Sequence, residues 1–168
     1  MKRLTWLVGP PGSGKSTWAN GLRAQCRVVE FTEMLGPLVN SARIRKGVLR
    51  ANGALVRLVR ELELHPENLG LPPVLVVAGL VPEDALFPLG EHEEALLLLP
   101  PRERWEEQLR RRPTGGGSSG QYDDYEYAEQ WYGRFSAWQA RGFPCTRLEL
   151  PHQPGLLGKI ADAKAGEG

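Results

Sequence analysis

The sequence predicts an α/β fold: a mostly parallel sheet of about five strands with helices on both faces. Three observations lead there. Short apolar runs alternate with longer segments of helical periodicity along the chain, the pattern of repeated strand–helix units. Those runs are compact and apolar enough to be strands buried on both faces. The first of them also ends in a glycine-rich turn that leads straight into a helical stretch. In such sheets the carboxyl ends of the strands face the ligand crevice.

Taken in order, Leu4–Val8 reads as a buried first strand, followed by a helix over 15–24 and a second strand over 28–31. Residues 32–64 are helical in pattern, with Asn52-Gly53 dividing the stretch into two helices. Within it Leu55, Leu58, Val59 and Leu62 fall at i, i+3, i+4 and i+7, so they are expected to form one apolar stripe. Leu71-Pro72-Pro73 stops the helix and introduces a third strand over 74–78; Pro82-Glu83-Asp84 reads as a helix start. A fourth strand over 95–99 precedes Pro100-Pro101, which opens a helix running to about residue 112. Residues 113–120 form a Gly/Ser-rich loop. A helix over 125–141 is closed by Gly142 and Pro144, a last strand spans 145–150, and a weak helix and Gly-rich end follow.

The chain has 168 residues, enough for one full core and too few for two, so residues 1–168 are expected to form one domain. With 41% hydrophobic and 24% charged residues the composition is that of an ordinary globular protein. Cys26 and Cys145 lie far apart with no CxxC pair, which argues against a zinc module and fits a reducing compartment. No apolar run approaches the ~18 residues of a membrane span. The start of the chain carries no signal-peptide pattern. A cytoplasmic protein without membrane contact is the expectation.

The decisive stretch is Gly9-Pro10-Pro11-Gly12-Ser13-Gly14-Lys15-Ser16-Thr17. It matches G-x-x-x-x-G-K-[ST] and stands where that motif must stand, after a strand and before a helix. Its glycines let backbone amides wrap a phosphate chain, and the helix start adds a positive dipole end. Lys15 is expected on the β- and γ-phosphates, the Ser16 hydroxyl on Mg²⁺, and Thr17 near the α-phosphate. This refines the fold to a three-layer P-loop NTPase fold with ATP as ligand, since no N-K-x-D guanine-reading motif occurs.

Further residues suggest phosphoryl transfer. Arg110, Arg111 and Arg112 end the fifth helical segment beside the Gly/Ser-rich loop, so a lid over about 110–124 can bring arginines onto a transferring phosphoryl group. The second strand ends in Glu30-Phe31-Thr32-Glu33. A carboxylate there can accept the proton of an acceptor hydroxyl, with Glu33 the first choice as base and Glu30 the second. The third strand ends in Gly79, where P-loop enzymes commonly carry a metal-holding aspartate.

The net charge of +1 hides an uneven distribution. Between residues 34 and 60 the charged side chains are Arg43, Arg45, Lys46, Arg50, Arg57 and Arg60, with no Asp or Glu. An acceptor-binding insert over about 33–64, walling an anionic nucleic-acid or nucleotide acceptor, is one reading; a solvated helix face is the other. Trp131, Phe135 and Trp138, with Tyr127 one turn earlier, form an aromatic stripe suited to core packing or to stacking on a base.

The opening motif with Trp18-Ala19 resembles the start of the polynucleotide 5′-hydroxyl kinase domain of bacteriophages and bacteria. The likeness in layout runs over residues 4–142. It includes Leu80-Val81-Pro82-Glu83 after the third strand, the strand-Pro-Pro-helix-Arg lid and the aromatic helix. It implies Lys15 and Ser16 on phosphates and metal, and Arg110 to Arg112 on the γ-phosphate. That family carries an Asp base and an Arg after the second strand; Glu33 falls near the Asp position and Gly36 or Pro37 near the Arg. The leading expectation is transfer from ATP·Mg²⁺ to a polynucleotide 5′-hydroxyl. A nucleoside or nucleotide kinase is the near alternative. An ATP-binding switch or partner module, favoured by Gly79, is the alternative from another class.

Overall fold

The structure, a computed structural model, describes residues 1–35, 45–111 and 125–149. Five strands form one parallel sheet in the order β2-β3-β1-β4-β5, with β1 Leu4–Val8, β2 Arg27–Glu30, β3 Val74–Gly79, β4 Glu93–Leu98 and β5 Thr146–Leu148. The helices are α1 Lys15–Asn20, α2 Phe31–Leu35, α3 Arg45–Glu63, α4 Glu83–Leu86, α5 Arg102–Arg110 and α6 Tyr125–Ala140. The α/β fold with a five-stranded parallel sheet is therefore the observed one. The boundaries move by a few residues: α1 stops at Asn20, and Phe31 opens α2 instead of ending β2.

Side-chain alternation along the strands divides the core in two. Leu4, Trp6, Val8, Val74, Val76, Ala78, Ala95 and Leu97 pack with α3, α4, α5 and α6 on one side. Leu7, Leu75, Val77, Leu96, Leu98 and Leu148 meet Trp18, Ala19 and Leu22 on the other. Both faces are covered, which is why the strands read as continuous apolar runs. Among the described residues, no helix is long and apolar enough to cross a membrane.

The 32–64 stretch departs most from expectation. Helix α3 runs unbroken through Asn52-Gly53. Gly53 is there for close approach: a Cβ on it would lie 3.4 Å from Pro82 Cγ and 3.5 Å from Ala85 Cβ. The expected apolar stripe is packed only in part: Val59 is buried and Leu55 packs against the core. Leu58 and Leu62 are 46% and 58% exposed, whereas Val48, Asn52, Val56 and Val59 are buried. A buried Asn and a contact glycine take helix positions that a pattern of apolar residues alone assigns to solvent.

The direction of α3 matters for the site. Near its start Asn52 Nδ2 donates to the Leu80 carbonyl at 2.6 Å, just past the carboxyl end of β3. At its end Glu63 pairs with Arg3 and Arg27 at the amino ends of β1 and β2. Helix α3 therefore runs antiparallel to the strands, and only its first turns lie at the carboxyl edge of the sheet.

Helix α6 buries Ala128, Trp131, Tyr132, Phe135 and Trp138, so the aromatic stripe is core. It is clamped to α4 by Glu83, which accepts from Arg134 Nε at 2.7 Å, Arg134 Nη2 at 2.5 Å and the Trp138 indole at 3.0 Å. The Arg134 hydrogen bonds, outweighing burial, lower the Glu83 carboxyl from 4.5 to about 2. A depressed acid stabilises the fold above its unfolded pKa and loses that contribution as pH falls through the folded one. Glu83→Gln is therefore expected to cost about 2 kcal/mol near neutrality. In melting curves taken against pH, the gap to the wild type should close between pH 4.5 and about 2.

Candidate active site

The site forms where three neighbouring strands end, β2 two residues short of β3. In the sheet register Val8 pairs with Gly79, and Glu30 with Val77, so the turn after β1, the end of β2 and the end of β3 share one edge. The turn is residues 9–14. Gly12 and Gly14 take φ values of +80° and +93°, a region open to glycine at no steric cost. The Ser13 amide donates to the Pro10 carbonyl at 3.2 Å, and α1 follows with the Trp18 amide on Gly14 at 3.0 Å.

Gly9 answers a different need. A Cβ on it would stand 2.4 Å from the Leu98 carbonyl oxygen, because β4 lies directly beside the exit of β1. Gly9→Ala must push two buried strands apart. It is expected to cost about 2–3 kcal/mol in a denaturant titration.

Lys15 folds back over this turn. Its ammonium donates to the Gly9 and Pro10 carbonyls, both at 2.8 Å, and reaches Ser13 Oγ at 3.4 Å. A Cβ on Gly79 would fall 3.8 Å from Lys15 Cε. The strand end where P-loop enzymes commonly carry an aspartate is thus backbone with φ +67° and leaves room beside the lysine. Asn52 holds that turn by its bond to Leu80.

The carboxylate at the site comes from β2. The Ser16 hydroxyl donates to Glu30 Oε1 at 2.5 Å, and Arg23 stands 3.9 Å from Glu30 Oε2. Glu30 is buried, while Glu33 is exposed on α2. The two acids stand three residues apart, but only Glu30 is the last residue of a strand; a helix begins at once, and Glu33 lies on it. Strand length was the signal, since ending β2 at Phe31 hides this distinction.

The remaining expected site residues are spread out. Arg110 and Arg111 are exposed at the end of α5 and pair back along it, Arg110 with Glu106 at 3.8 Å and Arg111 with Glu107. Arg112, most of the 110–124 lid and Arg43 lie outside the described residues, as do the expected C-terminal helix and the side chains of Arg45 and Lys46. Arg60 points away from the site. It donates to Glu93 Oε1 at 2.7 Å and to the Ala85 and Leu86 carbonyls at 3.1 and 2.8 Å. Arg57 is exposed midway along α3, and Arg50 is exposed in its first half. The basic segment is therefore distributed along the helix, because a helix turns its side chains through every direction.

The glycine loop is also held from behind by α5, a contact with no counterpart in the sequence pattern. Trp105 Nε1 donates to the Pro11 carbonyl at 2.7 Å. Leu109, one turn on, packs against Gly12, where a Cβ would come within 2.9 Å of Leu109 Cδ1.

No protein-family model matches the chain, and no curated protein matches its sequence. Solved structures do match. A sugar kinase from Janibacter sp. HTCC2649 superposes with a TM-score of 0.66 at 16% identity, covering 97% of this chain and 94% of that one. Shikimate kinase from Aquifex aeolicus VF5 gives 0.56 at 16% identity, covering 98% and 97%. Deoxyadenosine kinase from M. mycoides with bound dATP gives 0.56 at 13% identity, covering 97% and 99%. At these identities the likeness concerns architecture: the chain has a P-loop kinase-like α/β fold.

Proposed function

We propose that the protein is an ATP-dependent phosphotransferase acting on a hydroxyl of a small-molecule, nucleoside or nucleotide acceptor. The observation that carries this is the pairing of Ser16 with Glu30 next to Lys15 at the mouth of a glycine loop. A hydroxyl and a carboxylate 2.5 Å apart supply hard oxygen ligands of the kind Mg²⁺ prefers, so these residues fit the ion without an acid on β3. Magnesium held there would offset charge on the β- and γ-phosphates. Loop amides would cradle the phosphates. Lys15 would leave the Gly9 and Pro10 carbonyls for phosphate oxygens. Glu33, exposed at the same edge, would take the proton of the acceptor hydroxyl as that oxygen bonds the γ-phosphorus and the ADP oxygen departs. Arg110 to Arg112 are candidates to meet the transferring group.

Similar structures named as sugar, shikimate and deoxyadenosine kinases support a small hydroxyl acceptor. The engagement of Arg60 by Glu93 favours it over an extended anion, because it removes one cation from the expected wall. A polynucleotide 5′-hydroxyl is the second reading, favoured by Arg50 and Arg57, exposed cations on α3, and by the resemblance of the opening motif.

Incubation with [γ-³²P]ATP, Mg²⁺ and parallel acceptors tests these readings. Sugars, shikimate, nucleosides, nucleoside monophosphates and a 5′-hydroxyl oligonucleotide make the set. Label on a small acceptor is the expected result. Label on the oligonucleotide alone would establish the second reading. ATP binding without label on any acceptor would turn the conclusion towards a nucleotide-binding switch.

A further inference from the structure

Trp105 is wholly buried, yet its one polar atom is spent on the phosphate loop. Its ring is locked against Tyr132, centroids 4.5 Å apart, and Tyr132 is itself held by a 2.6 Å hydrogen bond from its hydroxyl to the Pro100 carbonyl. With Leu109 on Gly12, one face of α5 grips the Pro11–Gly12 peptide through a polar and an apolar contact together. That peptide is trans, so its carbonyl and amide hydrogen point in opposite directions. Drawing the Pro11 oxygen towards the buried indole therefore turns the Gly12 N–H away from the core, to the open side of the loop.

We propose that Trp105 is a positioning residue for the phosphate loop: by holding the Pro11 carbonyl it aims the Gly12 amide at the bound phosphates. This rests on the reading of residues 9–17 as a nucleotide site. A flexible glycine step would otherwise divide its time among several peptide orientations, and an anion would have to restrict it on binding. The indole sets the orientation beforehand. The bond also gains when phosphate arrives, because an amide that donates to an anion makes its own carbonyl a better acceptor.

Most buried indoles find a hydrogen-bond partner whatever their role, so the test includes an equivalent indole elsewhere. Trp138 is equally buried and donates to Glu83 at 3.0 Å, away from the loop. ATP·Mg²⁺ affinity would be measured by calorimetry, with melting temperatures, for wild type, Trp105→Phe and Trp138→Phe. Both variants should melt earlier. Only Trp105→Phe should bind more weakly, with Kd raised roughly five- to tenfold, the worth of one hydrogen bond. An unchanged Kd in Trp105→Phe, or an equal rise in Trp138→Phe, would overturn the proposal. A wild type without ATP affinity would remove the nucleotide reading itself, and the proposal with it.

Should Trp105→Phe fail to fold, the wild type carries the test through its indole N–H resonances. Adding ATP·Mg²⁺ should move the Trp105 signal downfield and leave that of Trp138 in place. A Trp105 signal unmoved in the nucleotide-bound protein would equally overturn the assignment.

Discussion

Lys15→Ala is expected to lower phosphoryl transfer by about 10²–10³-fold, the scale seen when one preorganised charge-stabilising donor is removed from an active site. It should also abolish the stabilisation that ATP·Mg²⁺ confers. A ligand at 100 times its Kd stabilises a fold by about 2.7 kcal/mol, which for a chain of this size is a melting shift of roughly 5–10 °C. The free protein should be far less affected. Lys15 gives its hydrogen bonds to the Gly9 and Pro10 carbonyls, and their loss is expected to cost about 1 kcal/mol. Thermal melts with and without ATP·Mg²⁺ separate the two effects. A wild-type nucleotide shift in Lys15→Ala would overturn the assignment of residues 9–17 as the nucleotide site.

Glu30→Gln is the second large expectation. The amide keeps the shape of the side chain and can still accept from the Ser16 hydroxyl, so packing and the 2.5 Å contact should survive. Only the charge is lost. If Glu30 helps hold the metal, transfer should fall by ~10²–10³-fold. The midpoint for Mg²⁺ activation should move to higher concentration, and raised Mg²⁺ should restore part of the rate. Glu33→Gln should behave differently: as the base, its loss is worth ~10²–10⁴-fold in rate with no change in the Mg²⁺ midpoint. Two variants with the same Mg²⁺ dependence would show that the roles have been divided wrongly between these acids.

The loop, the parallel sheet and the order of strands and helices were legible in the chain. Each is signalled by patterns local in sequence, such as the run of residues 9–17 between β1 and α1, although the strand pairings themselves are long-range. The pairing face of α3 was not. The apolar spacing groups Leu55, Leu58, Val59 and Leu62, of which Leu55 and Val59 pack. The helix turns Gly53 and Asn52 inward in place of Leu58 and Leu62, because Pro82 and the Leu80 carbonyl demand a small contact and a donor there. Nor could charge counting foresee that Arg60 belongs to Glu93, a buried acid 33 residues away.

The glycine-rich loop is a short-range object, since nine consecutive residues set its shape and hold its candidate phosphate-binding groups in order. The choice of carboxylate is of another kind. Glu30 meets Ser16 across 14 residues, and Trp105 meets Pro11 across 94. Both contacts exist only because β2, β3 and β1 align their ends and α5 packs over the exit of β1. Register and helix placement set those distances. They are properties of the packed sheet, to which every strand contributes and which no local stretch specifies.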